Sequence, residues 1–94
     1  MIHVCIAVGF GDDEAEEEVG WFQLPAVPKV GEIVFVSFAR RLYPINAGKW
    51  TDEAVEHAKR FDGTRWVVEQ VCWEAVSDGD GRCTVYVKEE EQGR

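Results

Sequence analysis

Arg65-Trp66-Val67-Val68-Glu69-Gln70-Val71-Cys72-Trp73-Glu74-Ala75-Val76, then Ser77-Asp78-Gly79-Asp80-Gly81, then Arg82-Cys83-Thr84-Val85-Tyr86-Val87-Lys88, is the stretch that decides the fold. Two runs rich in β-branched and aromatic residues flank a turn whose residues accept left-handed backbone, the pattern of an antiparallel hairpin. Pairing across that turn sets Val76 against Arg82, Ala75 against Cys83, Trp73 against Val85 and Val71 against Val87. These residues, Val76 and Arg82 aside, then share a core face, while Cys72 meets Tyr86 on the other. A Cys72–Cys83 disulfide is disfavoured by that geometry.

Three more strands precede the hairpin. Ile2, Val4, Ile6, Val8 and Phe10 alternate with His3, Cys5, Ala7 and Gly9, so residues 2–10 form a strand with one side on the core. An acidic loop, 11–18, leads to Val19–Leu24 as the return arm of a long hairpin, stopped by Pro25 and Pro28. Ile33–Ala39 is apolar except for Ser37, which predicts a strand covered on both faces. Arg40–Trp50 reads as an irregular connection. Thr51 then caps a short helix over 51–62, with Asp52 and Glu53 in its first turn, Ala54, Val55, Ala58 and Phe61 as its apolar stripe and Gly63 as its stop. Trp50 and Val55 are placed to staple its start. The helix is the natural cover for the third strand. Five strands and one inserted helix predict a mainly β, SH3-like or related small barrel, which protects its own edges.

With 94 residues the chain predicts a single domain over 1–94, with a frayed acidic tail at 89–94. Eighteen acidic against ten basic residues give a net charge of −8. Six of the carboxylates fall within Asp12–Glu18 and three in Glu89-Glu90-Glu91, where they keep a small apolar protein in solution. Between Arg40 and Arg65 the sign turns: Arg40, Arg41, Lys49, Lys59, Arg60 and Arg65 outnumber Asp52, Glu53, Glu56 and Asp62. The total charge argues against nonspecific nucleic-acid or membrane binding. No apolar run approaches the ~20 residues of a spanning helix. No basic-then-apolar leader opens the chain, and three dispersed cysteines suit a reducing compartment, so a cytoplasmic protein is expected.

Motifs for chemistry are sparse, and no catalytic residue, metal site or cofactor is assigned. The cysteines lack zinc-type spacing. Asp78-Gly79-Asp80-Gly81 fails as a calcium loop, because the positions that would open and close it are Val76 and Val87. The acidic loop is a solvated loop and not a cation site. His57, among Glu53, Glu56, Lys59 and Arg60, falls on a solvated helix face. No hydrolase or nucleotide-binding signature occurs, and five serine and threonine side chains lack a matching His/Asp arrangement. The balance leans away from an enzyme.

Aromatic side chains are the most promising feature. Trp21 and Phe22 are adjacent, so a regular strand sends one of them outward. A binding or assembly surface is therefore expected near Trp21, Phe22, Phe35 and Tyr86, with a homo-oligomer as the first expected partner. The alternative is a single-stranded nucleic-acid surface built from Arg40, Arg41, Lys49, Trp50 and Arg60. A third possibility is a small-molecule site in a cavity under the inserted helix.

Leu24-Pro25-Ala26-Val27-Pro28-Lys29-Val30-Gly31-Glu32-Ile33-Val34 resembles the opening of many small bacterial proteins, in which L-P-x-V-P-x-x-G-[DE] precedes a strand. Trp66–Trp73 and Thr84–Val87 are similar to their later strand and final hairpin. The resemblance implies a small β-barrel of unassigned activity and supplies no catalytic residues. The acidic first loop also resembles the ligand-facing loop of SH3 domains. The ALYDY-like segment and the Trp-Trp pair are missing, so proline-peptide binding does not carry over.

Overall fold

A computed structural model of the chain describes residues 1–12 and 14–90. The elements run β1 (Ile2–Val8), β2 (Glu17–Leu24), β3 (Ile33–Phe35), α1 (Ala39–Leu42), a 3₁₀ turn (Pro44–Asn46), α2 (Asp52–Phe61), β4 (Arg65–Glu74) and β5 (Arg82–Glu89). The chain is mainly β, and its five strands form one mixed sheet, curled into a half-barrel, in the order β2-β1-β5-β4-β3. Chain contacts divide it into two compact units, Met1–Val34 with Trp66–Arg94, and Phe35–Arg65.

In the first unit β1 is central. It pairs antiparallel with β2, from Ile2 opposite Leu24 to Val8 opposite Glu17. It pairs parallel with β5, from Val4 opposite Cys83 to Val8 opposite Val87. The parallel pair joins the first strand to the last. Val4, Ile6, Val85 and Val87 fill the inner face and are at most 1 % exposed. Each such side chain stabilises the fold by about 1.5–3 kcal/mol through burial.

The alternation in β1 reads as one-sided, yet Cys5 and Ala7 are buried too, at 7 and 4 %. Both are small, and the rows they occupy carry Trp21 beside Cys5 and Tyr86 beside Ala7. Directly opposed side chains stand only ~5 Å apart, so the larger neighbours shade the smaller ones. The strand covered on both faces is thus β1. The expected strand 33–39 shrinks to Ile33–Phe35, a short edge strand with Ile33 and Phe35 exposed. It joins the sheet where the Gly31 amide donates to Val68 and the Val68 amide donates to Glu32, both at 2.9 Å.

The β4–β5 hairpin forms, two residues away from the expected register. Glu74 stands opposite Arg82, Trp73 opposite Cys83, Cys72 opposite Thr84 and Val71 opposite Val85. The turn is therefore 75–81, which removes Ala75 and Val76 from the strand. Asp78 takes left-handed backbone at φ 62. The opposed charges of Glu74 and Arg82, 3.6 Å apart, close the ladder at this point. A shift of two keeps each side chain on its face but moves Trp73 to the row next to the end, where it is 66 % exposed instead of in the core. A bulge at Glu69 then lets Val68 meet Val87 while Gln70 meets Tyr86.

The acidic loop is shorter than the expected 11–18. β2 already begins at Glu17, and the turn before it is tied by Asp12 N–H to Gly9, Ala15 N–H to Asp12, and the Asp12 carboxylate accepting from the Glu14 and Ala15 amides. Of the expected frayed tail 89–94, Glu89 ends β5, and 91–94 lie outside the described residues.

In the second unit α2 matches the expected helix within a residue at each end. Thr51 Oγ1 accepts from the Ala54 amide at 3.1 Å, and Gly63 follows with φ 76. Ala58 and Phe61 are buried. The connection before the helix is ordered as α1 and the 3₁₀ turn. Asp62 Oδ1 accepts from the Phe38 amide at 2.6 Å and the Gly63 amide donates to Val36 at 3.1 Å, tying the two ends of this unit together. His57 departs from its expected solvated face. It is half-buried, with its ring 4.9 Å from that of Phe61 and 5.8 Å from that of Phe38. The i, i+4 spacing of His57 and Phe61 puts them on the same side of the helix.

Candidate functional site

The four residues of the expected aromatic surface do not form one patch. Trp21 stands opposite Cys5 on the outer face of the sheet, 43 % exposed, with the His3 ring 5.1 Å away. Phe22 stands opposite Val4, on the inner face, and is half-buried. Tyr86 shares the outer face with Trp21, but it is half-buried, lies 5.0 Å from the Phe10 ring, and donates its hydroxyl to Glu16 at 3.1 Å. Phe35 ends β3 in the second unit, 63 % exposed. Burial, and the Glu16 carboxylate accepting its hydrogen bond, push the Tyr86 phenol above its usual range.

The alternative set is brought together in part. Ser37, Phe38, Ala39, Arg40, Arg41 and Trp50, all in the second unit, line an open groove of about 390 Å³. The Arg41 guanidinium carbon lies over the Phe38 ring at 5.0 Å and over the Trp50 ring at 5.1 Å. Its Nη1 donates to the Ala54 carbonyl at 3.5 Å. Three elements set this arrangement. The α1 turn carries Arg41, with its amide and that of Leu42 donating to Phe38 O. The Asp62 carboxylate holds the Phe38 backbone. The Thr51 cap fixes the chain beside Trp50, whose ring lines the groove.

Arg40 is exposed at the groove, with its carbonyl accepting from Asn46 Nδ2 at 2.7 Å. Arg60 lies over Phe61 at 5.0 Å, and Lys49 is exposed; neither lines the groove. The cavity is formed by the segment before α2 and by Trp50, so it differs from the one expected under the helix. Phe38 was missed as a site residue. Its signal in the sequence was its place three residues before Arg41, one turn along a helix that Arg40–Trp50 was not expected to contain.

Chemically the groove offers a planar cation held against two rings and a second cation beside it. A guanidinium between rings keeps its N–H edges available to a carboxylate or phosphate, with little rotamer freedom left to lose. The surrounding unit carries six bases against four acids, whereas the first unit carries four against fourteen. The Glu56 carboxylate lies 3.6 Å from Lys59, and Asp62 is engaged by the Phe38 amide.

Elsewhere, Cys5 is buried, and burial first, then the negative charges of Glu18 and Glu16, push its thiol up to about 11. Burial also raises the Cys83 thiol. Both are poor nucleophiles at neutral pH. Among the described residues no helix is long and apolar enough to cross a membrane. Compared with protein-family models, curated proteins and solved structures, the chain matches none of them.

Proposed function

We propose that the protein is a small non-enzymatic binding and assembly module whose ligand site is the groove of Phe38, Arg40, Arg41 and Trp50. The ligand carries an anionic group, carboxylate or phosphate, next to a flat or apolar portion. The observation that carries this reading is Arg41 lying over two rings in an open concavity, with Arg40 beside it. Cation–ring contacts contribute ~0.5–2 kcal/mol each, so the guanidinium is held before any ligand arrives. Single-stranded nucleic acid is the second reading, favoured by Trp50, whose half-exposed ring beside two arginines is a stacking platform. A cytoplasmic setting belongs with the proposal, supported by three free thiols. So does an SH3-like relationship, supported by the five-stranded curled sheet.

The test is a tryptophan-fluorescence titration at low salt with three probes: inorganic phosphate, a short Phe- and Glu-containing peptide, and oligothymidylate. At least one probe is expected to give a saturable change that disappears in Arg41→Ala and in Trp50→Phe. If no probe gives an Arg41-dependent signal, the groove is not a binding site.

A further inference from the structure

We infer that the occupant of the groove is a second copy of this chain, presenting the turn between its β1 and β2. The inference rests on the binding reading above and names its partner. Three observations carry it.

The first is charge complementarity. The unit holding the groove has a surplus of two positive charges, and the other unit has a surplus of ten negative ones. Contact between the first unit of one copy and the second unit of another is therefore favoured over contact between like units, and it works against the general repulsion of two chains of net −8.

The second is the chemistry of the turn. Glu14 in the turn and Glu18, the second residue of β2 beyond it, are exposed, while Asp12 and Glu16 are engaged in holding the turn and Tyr86. Phe10, 46 % exposed, supplies an apolar ring on the same connection. Exposed carboxylates and an exposed ring are the groups that a groove of two guanidinium groups and a half-exposed indole accepts.

The third is preorganisation on both sides. Gly9 and Asp12 tie the turn by backbone bonds, and Phe38 and Trp50 hold Arg41, so little order must be acquired on contact.

Such an interface is heterologous. Each copy offers one turn and one groove, so assembly proceeds head to tail and either closes into a ring or keeps growing.

The experiment is light scattering behind size exclusion over a wide range of protein concentration. It is run near 0.1 M salt, where a screening length of about 10 Å damps the repulsion between two chains of net −8 but leaves a contact ion pair, and near 1 M, where the length is about 3 Å. The wild-type chain is expected to assemble with concentration at low salt and to be monomeric at high salt. Arg41→Glu, and separately the pair Glu14→Lys with Glu18→Lys, should each weaken assembly by about tenfold or more. An equimolar mixture of the neutralised variants, Arg41→Ala and the pair Glu14→Gln with Glu18→Gln, should form a dimer and nothing larger, since only one intact turn and one intact groove remain and the altered groove and turn do not attract each other. Arg40→Glu repeats the groove test at an exposed residue that lies over neither ring, in case Arg41→Glu does not fold.

A wild-type monomer under all conditions overturns the inference, as does assembly that neither variant weakens or a mixture that stays monomeric. If the chain is monomeric yet binds oligothymidylate or the acidic peptide through Arg41, the groove remains a binding site and only its occupant is wrong. If it is monomeric and no probe binds, both readings fall.

Discussion

Gly9 shows how a single residue fixes the acidic turn. Its φ of 85 is left-handed, and a Cβ there would lie 2.4 Å from the Ala15 carbonyl oxygen, a backbone atom with nowhere to retreat. Gly9→Ala should therefore lower stability by at least about 1–3 kcal/mol, the range for left-handed strain alone. Urea unfolding checks this, and a wild-type midpoint would contradict it. Cys5 tests the outer face. Its thiol pKa is raised in the folded state, so its contribution to stability is complete below the ordinary thiol value of 9.0 and is lost as pH rises toward about 11. Melting temperature should fall across that window in the wild type and fall less in Cys5→Ala. Equal loss in both would place the alkaline sensitivity elsewhere.

At the scale of elements, what was legible in the sequence was local chemistry. Thr51, the acidic first turn and Gly63 mark α2 because capping bonds join residues only three or four apart. Thr51→Ala should cost about 1 kcal/mol, read as an earlier urea midpoint. An unchanged midpoint would mean the Thr51–Ala54 bond contributes nothing. The long hairpin of β1 and β2 was equally visible in its alternation. What escaped was nonlocal. The parallel pairing of β1 with β5 joins strands more than seventy residues apart, as Ile6 and Val85 do, and leaves no periodicity to read. The burial of Cys5 and Ala7 depends on Trp21 and Tyr86, which reach them only after the sheet is built. Ile33–Ala39 misled because an apolar run fits a covered strand and a loop with buried Val36 and Phe38 equally well. The β4–β5 register slipped because an odd-length turn of five or seven residues keeps the same faces, so alternation alone does not choose between them.

For the whole molecule, the candidate site was half legible. Arg40, Arg41 and Trp50 stood out as bases mixed with rings, but Phe38 joined them only through the α1 turn. Trp21, Phe22, Phe35 and Tyr86 were chosen by size and spacing, and the sheet then sent them to different faces and neighbours. Charge is what organises the molecule at this scale. A chain of net −8 divides into a strongly acidic unit and a mildly basic one, and the basic one holds the groove. The central claim is that Arg41 receives an anion there. It is tested most directly by following the Nε–Hε resonances of the arginines by NMR while the Phe- and Glu-containing peptide is added at low salt. The account predicts a saturable shift of Arg41, accompanied by the Trp50 indole and absent from Arg82 in β5. Weak, parallel, unsaturating shifts of all arginines would contradict it.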